Sequence, residues 1–496
     1  MRRSFGLTLL GAVLPGAGLT RTRYAKAGWT ILLLVVVSLI GLVGVILVQG
    51  PYAAALAVGV RPKALFAVAA FLVVAGLVWV WTLVLTYRGT QHPSLRPRQR
   101  AVLRVWTALL CLAVATPLAV GTQYSLIQRS LVGTVFTGGQ DPGDGAPRAE
   151  PTLGVTDPWA GVGRITMLLL GSDAGDDRVG VRTDSMILAN IDTKTGETLL
   201  FSLPRNLQNV PFPKDNPLHK IYPYGYTCGS ECLLNAVWTE AEAHKDLFPS
   251  SVRSPGLYTL QGVITEITGL RIDNTTIIDL KGFESLVDAM GGVTVNVTER
   301  LPIQGWVNSQ KVLVGVEEWL EPGVQHLDGY HALWFARSRL ASDDWSRMRR
   351  QRCLVGKIIG QVNPASMLQK YPALAQVARD NVTTDIKIEH LPAWVTLIER
   401  IKGASIRSLT FTHLNINPGD PDFASIKKMV QTAVDPNATP TPTRSTSSRT
   451  PTRTTSTPTR STPSTTRTVG PSSTRSTPST PTQPTEDTLV NINDAC

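Results

Sequence analysis

Three long apolar stretches dominate the first part of the chain, at residues 27 to 48, 64 to 86 and 105 to 127. Each reaches the ~20 residues that a helix needs to cross the hydrocarbon core of a bilayer. They predict three membrane-spanning helices, and an odd number of spans puts the two ends of the chain on opposite sides. A further apolar stretch, residues 4 to 20, is short and broken by Pro15 and Gly16, so it reads as interfacial or re-entrant. After residue 127 the pattern changes. RITMLLL (164 to 170), SMILANI (185 to 191), ETLLFSL (197 to 203), TTIIDL (275 to 280) and VTVNV (293 to 297) have the length of buried strands. Helical periodicity follows in ECLLNAVWTEAEAHK, YTLQGVITEITG, KGFESLVDAM, DGYHALWFAR and DWSRMRRQRCLVGKIIGQV. Strands alternating with helices predict an α/β or α+β sandwich.

Composition divides the rest. Residues 138 to 161 are rich in Gly, Pro and Asp and read as a linker, while Thr, Ser, Pro and Arg take over from residue 435 with almost nothing that fills a core. The chain is therefore partitioned into a cytoplasmic or interfacial N-terminus (1–26), the spans (27–127), a linker (128–160), a globular domain (161–431) and a disordered tail (432–496). The tail is either inert or a basic stalk against an anionic wall polymer. Arg2, Arg3, Arg21, Arg23 and Lys26 precede the first span, and Arg88, Arg96, Arg98, Arg100 and Arg104 lie between the second and third. Basic loops stay cytoplasmic, so everything after residue 127 is expected outside the cell membrane.

The net charge of +11 does not change that picture, because its basic clusters flank spans or sit in the tail, apart from one around residues 337 to 352. No helix-turn-helix or zinc-finger spacing accompanies it, and nucleic acid is not an expected partner. Of five cysteines, Cys228 and Cys232 lie close together and read as a disulfide, without the second pair that a zinc site requires. Cys111 and Cys353 are read as packing residues. Cys496 is a terminal thiol with no assigned role.

Candidate chemistry concentrates in two places. Asp173 follows the first strand and Asp184 stands just before the second, so neighbouring strands bring both carboxylates to one sheet edge. Two carboxylates suit a magnesium that keeps its other positions for water and phosphate oxygens. Downstream, Arg337 and Arg339 share a face where the chain is extended, and Arg347, Arg350 and Gln351 share one where it is helical. Guanidinium forks match phosphate geometry, and the combination predicts phosphoryl chemistry. Arg349 and Arg352 are read as a solvated helix face paired with Asp343 and Asp344.

In order along the chain, GSD, R-x-D, SLPRN, HKIYPYGY, FARSR and D-W-S-R-M-R-R-Q resemble the signature of the LytR-CpsA-Psr phosphotransferases, over residues 160 to 365 and on toward 431. Asn206 departs from it, since the family usually carries Asp there. The resemblance implies a central mixed sheet flanked by helices. It implies Asp173 and Asp184 as the metal or catalytic pair, with Mg2+ or Mn2+, and Arg205 as a catalytic phosphate ligand. Arg182, Lys220, Arg337, Arg339, Arg347 and Gln351 would bind the substrate head. The implied reaction moves a glycan phosphate from a polyprenyl-diphosphate carrier to peptidoglycan and releases polyprenyl phosphate, with YTLQGVITEITGL and GFESLVDAM as possible linings for the lipid tail. Two alternatives stay open: a polyprenyl-diphosphate phosphatase, and a non-catalytic isoprenoid receptor or transcriptional attenuator, against which the short cytoplasmic segments argue.

Overall fold

The computed structural model describes residues 2–49, 58–91, 96–136, 148–173, 183–339, 344–361, 364–411, 416–435 and 489–492. The chain opens with α1 (Arg2–Val13), α2 (Ala25–Gln49), α3 (Pro62–Gly89) and α4 (Pro97–Val135). The last three are long and apolar enough to cross a membrane. Helix α1 is too short to span and instead lies along α3: Ser4 Oγ donates to the Thr90 carbonyl (3.2 Å), and Trp79 Nε1 donates to the carbonyl of Gly11 (2.9 Å). The chain then turns at Gly16, whose φ of 84° favours glycine, and a Cβ on Gly89 would meet Thr22 at 3.0 Å. Residues 4 and 22 thus stand level with one end of α3 while Gly11 reaches its middle. The segment folds back on itself as a hairpin packed along α3.

The rest of the chain forms β1 (Arg164–Ser172), β2 (Thr183–Asp192), β3 (Thr198–Leu203), α5 (Val237–Ala243), α6 (Pro255–Thr268), β4 (Asn274–Asp279), α7 (Leu280–Met290), β5 (Val293–Val297), β6 (Leu301–Val307), β7 (Leu313–Leu320) and β8 (Gly323–Leu327). Then come α8 (Gly329–Arg337), α9 (Asp344–Gln361), α10 (Pro364–Asn381), β9 (Val382–Thr384), α11 (Leu391–Lys402), β10 (Ile406–Thr410), α12 (Phe423–Val434) and β11 (Val490–Asn491). Helix starts are written in the sequence. Side chains of Ser254, Asp279, Asp328 and Asp422 cap α6, α7, α8 and α12 by accepting from backbone N–H groups in the first turn.

Seven strands make one sheet in the order β11-β10-β3-β2-β1-β4-β9. It is mixed: β1 runs parallel to β4 and β3 to β10, and the other pairs are antiparallel. Alternating side chains feed two cores. Leu168, Leu170, Leu188 and Phe201 pack with Leu260 and Ile264 of α6 on one face, and Ile165, Ile187 and Leu200 pack with Trp159 and with Trp394 of α11 on the other. Two small sheets, β5·β8 and β6·β7, sit outside this one.

Four features differ from the sequence reading. ECLLNAVWTEAEAHK forms only the short α5, because the N–H groups of Leu234 and Asn235 bond the carbonyls of Leu207 and Arg205 instead of a preceding helical turn. Leu257, Leu260, Val263, Ile264 and Ile267 of α6 are fully buried in the core and line no lipid pocket. Helix α12 continues to Val434, and Val490–Asn491 add a strand to the sheet far beyond it. Cys353 packs in the core beside Phe335 and Leu354, as read, but is disulfide-bonded and not a free thiol.

Candidate functional site

One edge of the main sheet gathers the charged residues. Strands β1 and β2 pair in antiparallel register with Gly171 opposite Ser185 and Ser172 opposite Thr183. A side chain at Gly171 would press on Ser185, 2.9 Å away, so glycine lets the two strands close at that point. Asp173 therefore leaves β1 at the end of the sheet where Asp184 opens β2. Asp173 is buried and Asp184 half-buried. Strand β3 returns beside β2, with Leu203 opposite Met186, and Pro204 then directs Arg205 back to Asp184.

Arg205 Nη1 donates to Asp184 Oδ1 in an ion pair with both side chains partly shielded. Asn235 Nδ2 donates to the same oxygen at 3.4 Å, and its own N–H donates to the carbonyl of Arg205 at 3.1 Å. Arg347 on α9 is buried and donates from Nη1 to the backbone carbonyl of Asp184 at 3.3 Å. Burial alone pushes the Asp184 carboxyl up, but the charge and hydrogen bond of Arg205, the charge of Arg347 and the Asn235 amide outweigh it and hold the group below the ordinary carboxylate range. Among the described residues both of these side-chain contacts fall on Oδ1.

Helix α9 supplies the opposite wall. Gln351 Oε1 accepts from Ser185 Oγ at 2.9 Å while its Nε2 donates to the Ala336 carbonyl at 3.3 Å, so it bridges β2 to the end of α8. Arg350, one residue earlier, donates from Nε to the Phe335 carbonyl (2.8 Å), from Nη1 to Glu299 Oε1 (2.8 Å) and from Nη2 to the Ser338 carbonyl. It thereby fixes the chain that carries Arg337 and Arg339. Arg337 lies 5.4 Å from the centre of the Trp334 ring, and Arg339 is exposed.

The structure thus brings together Asp184, Arg205, Arg347 and Gln351, and adds Asn235 and Ser185, which the sequence reading did not single out. Asn235 carries no signal of its own in the sequence; its bonds to Asp184 and Arg205 in the fold mark it. Lys220 is exposed at the end of a short 3-10 turn, and among the described residues no bond joins it to this cluster. The tyrosines of its motif are engaged elsewhere, since Tyr222 and Tyr226 both donate to Glu240, at 2.7 and 3.2 Å. Cys228 and Cys232 are joined, with Cα atoms 5.2 Å apart, in the loop that leads to Asn235. Arg182 lies outside the described residues, as do Asp176, Asp177 and Asp343.

Arg352 corrects an expectation. It is buried, not solvated, and among the described residues its Nε and Nη1 have no hydrogen-bond partner. Burial, and then the charge of Arg349, draw its guanidinium down to about 10. It stays cationic at neutral pH.

Among the described residues no group of three His, Cys, Asp or Glu side chains forms a metal cluster. Two carboxylates on one sheet edge, with Asp184 held ionised and its clamp gathered on Oδ1, still match a hard divalent cation that takes its remaining ligands from water and phosphate.

The LytR_cpsA_psr family model matches residues 150–435. The chain is similar to the polyisoprenyl-teichoic acid–peptidoglycan teichoic acid transferase TagU of Oceanobacillus iheyensis, 27% identical over 235 residues, which cover 47% of this chain and 62% of that protein. It is also similar to the cell wall biosynthesis protein LcpA of Corynebacterium glutamicum, 23% identical over 285 residues, 53% of each chain. The chain spans about six tenths of the length of the first of these relatives. Among solved structures, Bacillus subtilis TagV is 22% identical with a TM-score of 0.38, covering 55% of this chain and 97% of that one.

Proposed function

Since the chain belongs to the LytR_cpsA_psr family, we propose that it is a membrane-anchored phosphotransferase that moves a glycan phosphate from a polyprenyl-diphosphate carrier to a hydroxyl of peptidoglycan. The observation that carries this reading is the clamp on Asp184: Arg205 and Asn235 on its carboxylate and Arg347 on its carbonyl. Phosphoryl transfer needs positioned charge more than a protein nucleophile, and this cluster is positioned charge. The name of the Oceanobacillus iheyensis relative gives a polyisoprenyl-linked donor and a peptidoglycan acceptor, and that of the Corynebacterium glutamicum relative gives cell wall biosynthesis.

In this reading the acceptor hydroxyl oxygen forms a bond to the glycan-linked phosphorus as the bond to the bridging oxygen breaks; polyprenyl phosphate leaves, and the hydroxyl proton passes to the departing phosphate or to water. Arg205 and Arg347 face the diphosphate, and Arg337 and Arg339 extend the basic wall that Arg350 holds in place. Asp184 is a poor general base, because a carboxyl held this low takes up protons weakly at neutral pH. Its role is to hold a Mg2+ or Mn2+ together with Asp173, and such an ion, when bound, neutralises phosphate charge. The basic loops of the N-terminal region support a multi-pass anchor with the globular domain outside the cell.

The test is the full-length protein in detergent with a synthetic polyprenyl-diphosphate glycan, magnesium and peptidoglycan fragments. Glycan joined to the fragment through phosphate, and lost on Asp184→Ala, is the expected outcome. Phosphate release with no joined product would make the protein a phosphatase, and lipid binding without turnover would make it a receptor.

A further inference from the structure

A groove of about 940 Å³ runs between α3, α4 and α10. A Cβ on Gly76 would stand 3.4 Å from Leu118 and one on Gly121 3.2 Å from Leu72, so α3 and α4 approach closely along its floor. Helix α10 forms a wall through Pro372, Ala375, Gln376 and Arg379, which are three and four apart and share one face. Tyr371 stacks on Tyr124, and Arg379 Nη1 donates to Ser130 Oγ at 3.3 Å, so α10 and α4 rise in the same direction. Along α4 the groove extends from Ala115 to Leu131, ~24 Å at the helical rise.

Its two ends meet different surroundings. In the multi-pass placement proposed above, the hydrocarbon starts after Arg104 and ends ~20 residues on, near Tyr124. The lower part of the groove then lies in the bilayer. The upper part stands above it and stays apolar, lined by Leu126, Ile127 and Leu131 with Pro372 and Ala375. Beyond it lies the sheet edge of the Asp184 cluster. Arg379 comes three residues before Val382, the first of β9, and Val382, Ile278, Gly171 and Ser185 are paired in one row across the sheet. Three strand spacings, ~14 Å, separate Val382 from Ser185. Ile278, and Leu280 at the start of α7, are half-buried apolar residues between them.

We propose that this groove holds the isoprenoid chain of the lipid-linked donor and carries it from the outer leaflet up to the sheet edge. The inference rests on the polyprenyl-diphosphate donor proposed above. A diphosphate at Asp184 ends a chain whose far end is in the bilayer, and hydrocarbon lifted into water is disfavoured in proportion to its bare area. An apolar track above the lipid removes that cost. A bilayer phospholipid keeps its headgroup at the surface and would cover only the lower part, so the apolar stretch from Leu126 to Leu131 argues for the longer chain.

The experiment uses the full-length protein in nanodiscs of phosphatidylglycerol and phosphatidylethanolamine, with a polyprenyl phosphate that carries a diazirine within its chain. After irradiation, label is expected on α4 between Leu126 and Leu131 and on α10 between Pro372 and Arg379, and unlabelled polyprenyl phosphate should remove it. Leu126→Gln, at a position 43% exposed, should lower the label roughly tenfold with an unchanged thermal midpoint, and Thr134→Gln, exposed on α4 outside the groove, should not. Label confined to residues below Tyr124, or displaced equally by added phosphatidylglycerol, would make the occupant an ordinary bilayer lipid and overturn the proposal. Label that appears only when a dimer is dissociated would give the groove to a second copy and overturn it too. Labelling needs no turnover, so the two readings fail separately: specific label without glycan transfer would strike the transferase and keep the groove, and transfer without label here would do the reverse.

Discussion

Two corners of the molecule are rich in arginine, and they use it in opposite ways. At the corner of β2 and β3, Arg205 meets a carboxylate, and Arg347 reaches the backbone of the same residue. At the corner of α8 and α9, Arg350 spends its guanidinium on two carbonyls and on Glu299. The first corner gathers two guanidiniums about one aspartate, the concentrated charge that a phosphorylated ligand and a cation require. The second is framework. An arginine motif in a sequence therefore does not translate into a list of ligands, and what each guanidinium donates to separates the two kinds.

That contrast can be broken by substitution. The largest effect is expected at Asp184→Ala, which should lower kcat on the order of 10²–10³-fold, as loss of a preorganised electrostatic group does, with an unchanged circular dichroism spectrum and thermal midpoint within a few degrees. A collapse of the fold instead would move Asp184 from the first kind of corner to the second. Arg350→Ala should do the reverse. It orphans two carbonyls and exposes one side of a pair whose Glu299 is partly solvated, so urea denaturation should show a loss of about 2–3 kcal/mol.

A pH profile sharpens the comparison further. Asp184 has a folded-state value below its ordinary one, so its contribution is complete above the ordinary carboxylate range and is lost as pH falls through the lowered value. With Arg205→Ala, burial remains and the strongest opposing charge is gone. The acidic limb of activity should then shift to higher pH, and an unshifted limb would show that Asp184 does not govern it. The smallest effect is expected at Arg352→Met. Here a buried cation with two unbonded nitrogens is exchanged for an apolar chain of similar length, so stability should be unchanged or raised by about 1 kcal/mol in the same urea measurement. A clear loss would give Arg352 a partner.

Much of the fold is legible in the chain alone. The runs at RITMLLL, SMILANI and ETLLFSL form β1, β2 and β3, since apolar runs of that length bury on both faces of a central sheet. DWSRMRRQRC forms the head of α9 and puts Arg347 and Gln351 on one face, as a spacing of four demands. What stays hidden is set by distant partners. The carbonyls of Arg205 and Leu207 take the N–H groups of Asn235 and Leu234, and no local pattern in ECLLNAVWTEAEAHK announces that. Gln351 reads as a phosphate ligand, but its amide is engaged by Ser185 and Ala336 from two different elements. The β6–β7 hairpin escapes a pattern search because its strands are half exposed and carry a register shift at Gln304, which blurs their alternation.

Helix α4 is longer than a bilayer requires. Of its 39 residues, Pro97 to Arg104 form basic turns at one end, and in the multi-pass placement proposed above ~20 residues span the hydrocarbon. About ten residues, or ~15 Å, then stand clear on the other side. That stub is not a loose tether: Tyr124 stacks on Tyr371 of α10, Gln128 bonds Tyr371, and Ser130 accepts from Arg379. In the placement proposed above, this seam joins the globular domain directly to its anchor helix, and the length of α4 sets the height of the site over the lipid, the distance that the proposed acceptor has to bridge.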